Sequence, residues 1–118
     1  MWNGLNKRKF PRHSINVELN VAFDSKVKYV EATTENIGVG GLCFMSDKRI
    51  DPFQEVTLKL KLADGAMPIE CNGRVSWIVE KHTVQPSNNE FDIGIEFVNI
   101  NSNDRSRIEK MISEKERV

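Results

Sequence analysis

The 118 residues of this chain are enough for one domain with one modest core, and too few for two. Its hydrophobic share of 39%, with six Phe, two Trp and one Tyr, is too rich for a disordered tail. Seventeen basic residues balance seventeen acidic ones, which argues against the broad basic face that long nucleic acid requires.

The chain opens with MWNGLNKRKF, which has basic residues but no apolar stretch behind them. It is therefore not read as a secretory signal. No apolar run is long enough to span a bilayer. A cytoplasmic protein, or a cytoplasmic piece of a larger one, is expected. Charge is unevenly placed. Residues 1–13 hold Lys7, Arg8, Lys9 and Arg12 and no acid, a local charge of +4 that the rest of the chain offsets. A compact basic segment on a mildly acidic body marks a local anion site.

Strict alternation begins at Ile15. Ile15, Val17, Leu19, Val21 and Phe23 are apolar, and Asn16, Glu18 and Asn20 between them are polar, which predicts a half-buried strand. After a turn at Asp24–Lys26, residues 27–34 read as a second strand, rich in β-branched and aromatic residues. Asn36–Gly41, NIGVGG, reads as a glycine-rich loop, and Leu42–Met45 as a short apolar strand. Val56, Leu58, Leu60 and Leu62 give a fourth strand, ended by the turn dipeptide Asp64-Gly65. The fifth is long, with Ile69, Cys71, Gly73, Val75, Trp77 and Val79 on one face and a bend or bulge expected at Gly73. A polar loop with Pro86 leads to a sixth strand with Phe91, Ile93, Ile95 and Phe97. The period then changes. Ser102 or Asn103 is expected to cap a helix whose apolar stripe is Ile108, Met111 and Ile112.

Six strands and a helix predict a mainly all-β fold, an antiparallel sandwich or barrel filled by side chains. A basic arm (1–13), a β-barrel (14–100) and a C-terminal α-helix (101–118) make up the single domain. Cys43 and Cys71 form no CxxC pair and have no neighbouring His, so both are expected reduced and apolar, with no metal site and no cofactor. No nucleophile elbow, zinc helix, phosphate loop or paired-carboxylate pattern is present, so no enzyme is expected.

Two segments carry more than folding requires. Arg8 and Arg12 stand four apart on an arm that Pro11 keeps from being a helix. A guanidinium presents a planar fork to phosphate or to the O6/N7 edge of guanine, and its face stacks on a base. Otherwise the segment is a solvated basic tail. In NIGVGG, three glycines in four positions allow positive φ and close approach of a ligand to bare backbone N–H groups. Otherwise it is a tight turn with a bulge.

Together, RKFPR and the later NIGVGG resemble the signature of the PilZ domain family, RxxxR followed by (D/N)xSxxG. Arg8 and Arg12 meet the first half. Asn36 and Gly41 meet the second, with Gly38 where the family has serine. Gly41-Leu42-Cys43-Phe44, Gly73–Trp77, Gly94–Phe97 and the NDRSRIEKMI segment also look like the family's later parts, so the resemblance runs over about residues 7–113. It implies a six-stranded antiparallel β-barrel with a C-terminal helix that binds the bacterial second messenger cyclic di-GMP. By that resemblance Arg8 and Arg12 clamp phosphate and the guanine edge, and Lys7 adds charge. Asn36 bonds a guanine edge, Gly41 leaves room, and Gly38 costs one hydroxyl. Trp77 is either a stacking face or a packing residue. The expected output is an arm that orders on the ligand, with an unidentified downstream protein partner. The alternative is a PilZ-like protein-interaction domain that binds no nucleotide.

Overall fold

The computed structural model describes residues 15–23, 28–62, 65–81 and 90–116. Six strands and one helix follow in chain order: β1 (Glu18–Phe23), β2 (Lys28–Ile37), β3 (Gly41–Ser46), β4 (Glu55–Lys61), β5 (Ile69–Lys81), β6 (Glu90–Asn99) and α1 (Ser102–Glu116). The strands close into a barrel in the order β1-β2-β3-β6-β5-β4, every neighbouring pair antiparallel. Closure comes from β1, which pairs with β2 on one side and β4 on the other, so no edge is left unpaired. The expected six-stranded barrel with a C-terminal helix is the observed fold. Among the described residues no helix is long and apolar enough to cross a membrane.

Alternation in the sequence becomes inside and outside in the barrel. Val21, Leu58, Leu60, Val75, Ile93, Leu42 and Phe44 are fully enclosed, and Ile37 joins them at the end of β2. Burying each such side chain contributes about 1.5–3 kcal/mol. Ile108 and Ile112 of α1 belong to the same core, with Met111 packed against it, so the predicted stripe seats the helix on the barrel.

Four differences from the sequence reading have physical causes. First, residues 15–17 keep the alternation but lie before β1. Thr34, fully buried, ties them down instead: its Oγ1 accepts from Val17 N at 2.9 Å and donates to Ile15 O at 2.8 Å. Second, β2 does not stop at Thr34. A bulge between Thr34 and Asn36 carries the strand on to Ile37, so Asn36 and Ile37 lie in a strand, not in the loop. Third, the expected single face of β5 is broken. The shift at Asn72/Gly73 puts its extra residue, Val98, in β6 and not in β5 at Gly73 as expected, while a second shift between Val75 and Trp77 adds a residue to β5 and reverses the parity. Ile78 takes the inward position, and Val79 is left half-exposed on the outside. Fourth, the helix cap is Asn101 rather than Ser102 or Asn103. Its Oδ1 accepts from Asp104 N at 2.8 Å, meeting one of the helix's unpaired donors.

Candidate ligand-binding site

The two bulges act on opposite flanks of one wall. The bulge in β2 turns Asn36 outward while Ile37 faces Leu42 in the core. The bulge in β5 turns Trp77 outward while Val75 faces Ile95. Between them, Asn36 pairs with Cys43, Cys43 with Gly94, and Gly94 with Trp77. Four strands thus present Asn36, Cys43, the bare backbone of Gly94 and Trp77 as one row on the outer face. Cys43 is buried yet stands outside the core cluster that holds Leu42 and Phe44 on either side of it.

Gly94 is needed here for space. A methyl group at that position would strike the Trp77 indole at Nε1, Cε2 and Cζ2. The indole therefore lies against the strand backbone, half-buried, beside Cys43. Gly41 is fixed by packing as well, because a side chain there would run into the Ile95 carbonyl of β6. Its bareness is thus demanded by the approach of β3 to β6. Gly38 N donates to Gly41 O at 2.8 Å and closes the turn between β2 and β3. Phe97 N donates to Gly40 O at 3.0 Å and ties that turn to β6. The positive φ expected of this turn is not used. Among the described residues that backbone form occurs at Gly65 (φ 76°) and Phe53 (φ 68°).

A second group lies beside the row. Glu35 is the extra residue of the β2 bulge, and its Oε1 accepts from Cys43 Sγ at 3.9 Å. The Cys43 Sγ and a carboxylate oxygen from each of Glu35 and Asp92 all lie within 4.8 Å of one another. The hydrogen bond between Glu35 and Asp92 raises the Glu35 carboxyl above its ordinary value, aided by partial burial and by the Asp92 charge; Lys81 and Cys43 pull the other way. Asn36 Oδ1 and Asp92 Oδ1 are both buried and accept no hydrogen bond. An acceptor in that condition costs about 1–3 kcal/mol, so this wall holds two unpaired buried acceptors.

Of the residues singled out from sequence, the barrel brings Asn36, Gly38, Gly41 and Trp77 to one wall. Lys7, Arg8 and Arg12 lie outside the described residues. The sequence reading missed Glu35, Cys43, Gly94 and Asp92. Only the bulge parity and the β3–β6 register, neither visible in the sequence, place them together.

The PilZ domain family model matches residues 6–114, nearly the whole chain. The chain belongs to the PilZ domain family. Solved structures share the fold. The inhibitor of motility MotI/DgrA of Bacillus subtilis superposes with a TM-score of 0.75 at 14% identity, over 92% of this chain and 51% of that one. The PilZ domain of YcgR from Escherichia coli, solved with c-di-GMP, gives 0.73 at 11% identity, over 94% of this chain and 92% of that one. The MrkH–c-di-GMP complex of K. pneumonia gives 0.72 at 17% identity, over 91% and 50%. This PilZ chain thus spans about half the length of MotI and MrkH and nearly all of the isolated YcgR domain. A comparison with curated protein sequences found no significant match.

Proposed function

We propose that this PilZ domain is a receptor for cyclic di-GMP, bound on the outer wall of β2, β3, β6 and β5. The observation that carries the reading is the row itself. It sets a buried, unpaired amide oxygen at Asn36 in register, across bare backbone, with an indole plane at Trp77. A purine needs such a pairing of an edge contact with a flat face. Stacking a base on an aromatic ring contributes about 1–3 kcal/mol. Relatives of the same fold, YcgR and MrkH, were solved with c-di-GMP bound.

The dianion needs more positive charge than the described wall offers, where Lys81 stands against Glu35 and Asp92. Arg8 and Arg12 supply it in this reading, with Lys7 beside them. Charge-assisted bidentate bonds to phosphate are about twice as strong as neutral ones. Gly38 omits the hydroxyl of the family signature, a loss worth about 0.5–1.5 kcal/mol, so binding is weakened and kept. The domain does no chemistry on its ligand. It relays ligand occupancy to a downstream protein partner through the arm, and it works in the cytoplasm.

Calorimetric titration of the full chain with cyclic di-GMP tests this, with Arg12→Ala and GTP as controls. Micromolar or tighter binding, abolished in the variant and absent for GTP, is expected. No heat from the wild-type chain would remove the receptor reading and leave the alternative, a protein-interaction domain that Gly38 has helped to free from nucleotide.

A further inference from the structure

Among the described residues, two buried side-chain atoms lack a hydrogen-bond partner, and both are acceptors on the same wall. Asn36 Oδ1 belongs to the family signature. Asp92 Oδ1 does not, and nothing in the (D/N)xSxxG pattern points to it. Asp92 sits two residues before Gly94 on β6, on the outward side, and its register partners are Met45 on β3 and Val79 on β5. Its carboxylate lies within 4.8 Å of Cys43 Sγ, and Cys43 is the direct partner of Asn36. The Trp77 indole covers Gly94 on the same strand. Asp92 therefore borders the row that the ligand is proposed to cover.

Its chemistry is one-sided. Glu35 stands beside the Asp92 carboxylate, within 4.8 Å, while Oδ1 stays buried with its lone pairs free. An acceptor held out of water calls for a donor from whatever covers it. Guanine offers adjacent donors, N1–H and the N2 amino group. Adenine offers one amino group beside a bare ring nitrogen, whose lone pair would face the carboxylate oxygen and repel it.

We propose that Asp92 is a specificity-determining residue of this site, accepting N–H donors of a guanine edge through Oδ1 and so selecting guanine over adenine dinucleotides. The proposal rests on the reading of this wall as the cyclic di-GMP site.

The test is calorimetry of the wild-type chain and of Asp92→Ala and Asp92→Asn with cyclic di-GMP and with cyclic di-AMP. The wild type is expected to prefer the guanine ligand. In Asp92→Ala, affinity for cyclic di-GMP is expected to fall about ten-fold or more, the range for loss of a good base-edge contact, with cyclic di-AMP little changed, so that selectivity narrows. Asp92→Asn keeps the size and one acceptor oxygen, so it tests the same point should the alanine variant fold poorly; partial recovery of guanine preference is expected. Equal losses toward both dinucleotides, or no loss in either variant, would overturn the role of Asp92 alone. Silence of the wild type toward both ligands would overturn the site reading itself, and this role with it.

Discussion

Glu35 shows how one residue can carry a consequence that its sequence neighbours hide. In the sequence it is one acid among seventeen. In the barrel it is the extra residue of a bulge, pressed against Asp92 and Cys43. Its carboxyl is raised above the ordinary 4.5, chiefly by the Asp92 hydrogen bond. The folded protein then binds more protons than the unfolded chain between 4.5 and the raised value. The stability so conferred is whole below 4.5 and is lost as pH climbs through the raised value. Glu35→Gln keeps a donor for Asp92 and cannot ionise. Its urea midpoint, compared with wild type, is expected to be relatively higher at about pH 7.5 than at about pH 4.5, by a small margin because the side chain is largely solvated. Parallel pH profiles for the two proteins would show that the Glu35 carboxyl is not raised in the folded state. At this scale Asn36, Gly38 and Gly41 stood out as candidates in the sequence, since glycine and asparagine in a cluster are compositionally loud. It did not disclose Asp92 or Cys43, since acids and thiols acquire meaning here from partners on other strands. Cys71, the other thiol, is a core residue. Burial, with the Asp104 charge behind it, pushes it up to about 11, so it stays protonated and inert.

At the scale of elements, period-two alternation was enough to read β1, β4, β5 and β6, because one face of each is turned to a filled interior, whereas β2 and β3 were read from their β-branched, aromatic and apolar content. A bulge leaves no such trace. Val75, Trp77 and Val79 look like one face in the sequence, yet the extra residue between Val75 and Trp77 sends the latter two outside. The same blindness hid how residues 15–17 are held. Thr34 looks like an ordinary β-former, but its hydroxyl serves Val17 N and Ile15 O while its own N–H donates to Val17 O at 2.9 Å and its carbonyl accepts from Asn16 Nδ2 at 3.1 Å. Thr34→Val keeps the shape and strands a buried donor and acceptor, a cost of about 1–3 kcal/mol. The urea midpoint should fall with the m-value unchanged. Thr34→Ser, which keeps the hydroxyl, should lose less. The neighbouring Thr33→Val, on the exposed face, should lie within about 0.5 kcal/mol of wild type. If all three variants unfold together with wild type, the segment before β1 is held by its apolar side chains alone.

For the whole molecule, the decisive quantity is where charge sits. The formal charge is zero, yet Lys7, Arg8, Lys9 and Arg12 are gathered in residues 1–13, while the proposed ligand wall bears Glu35 and Asp92. A doubly anionic nucleotide laid on that wall without the arm would meet two carboxylates, with Lys81 beside them as a counter-charge. With the arm across it, phosphates meet guanidinium groups and the bases meet Asn36 and Trp77. Binding and arm placement are then one event, and the ligand's free energy is spent partly on fixing that segment. Amide exchange at residues 5–13 is therefore expected to slow when cyclic di-GMP is added to the full chain. The slowing should vanish in the Arg8→Ala/Arg12→Ala double variant. Because the contact is largely ionic, affinity should also drop as salt is raised. Exchange that slows along β2, β3 and β6 but not in residues 5–13 would mean that the barrel wall binds without the arm, and the relay would then have to run through the barrel.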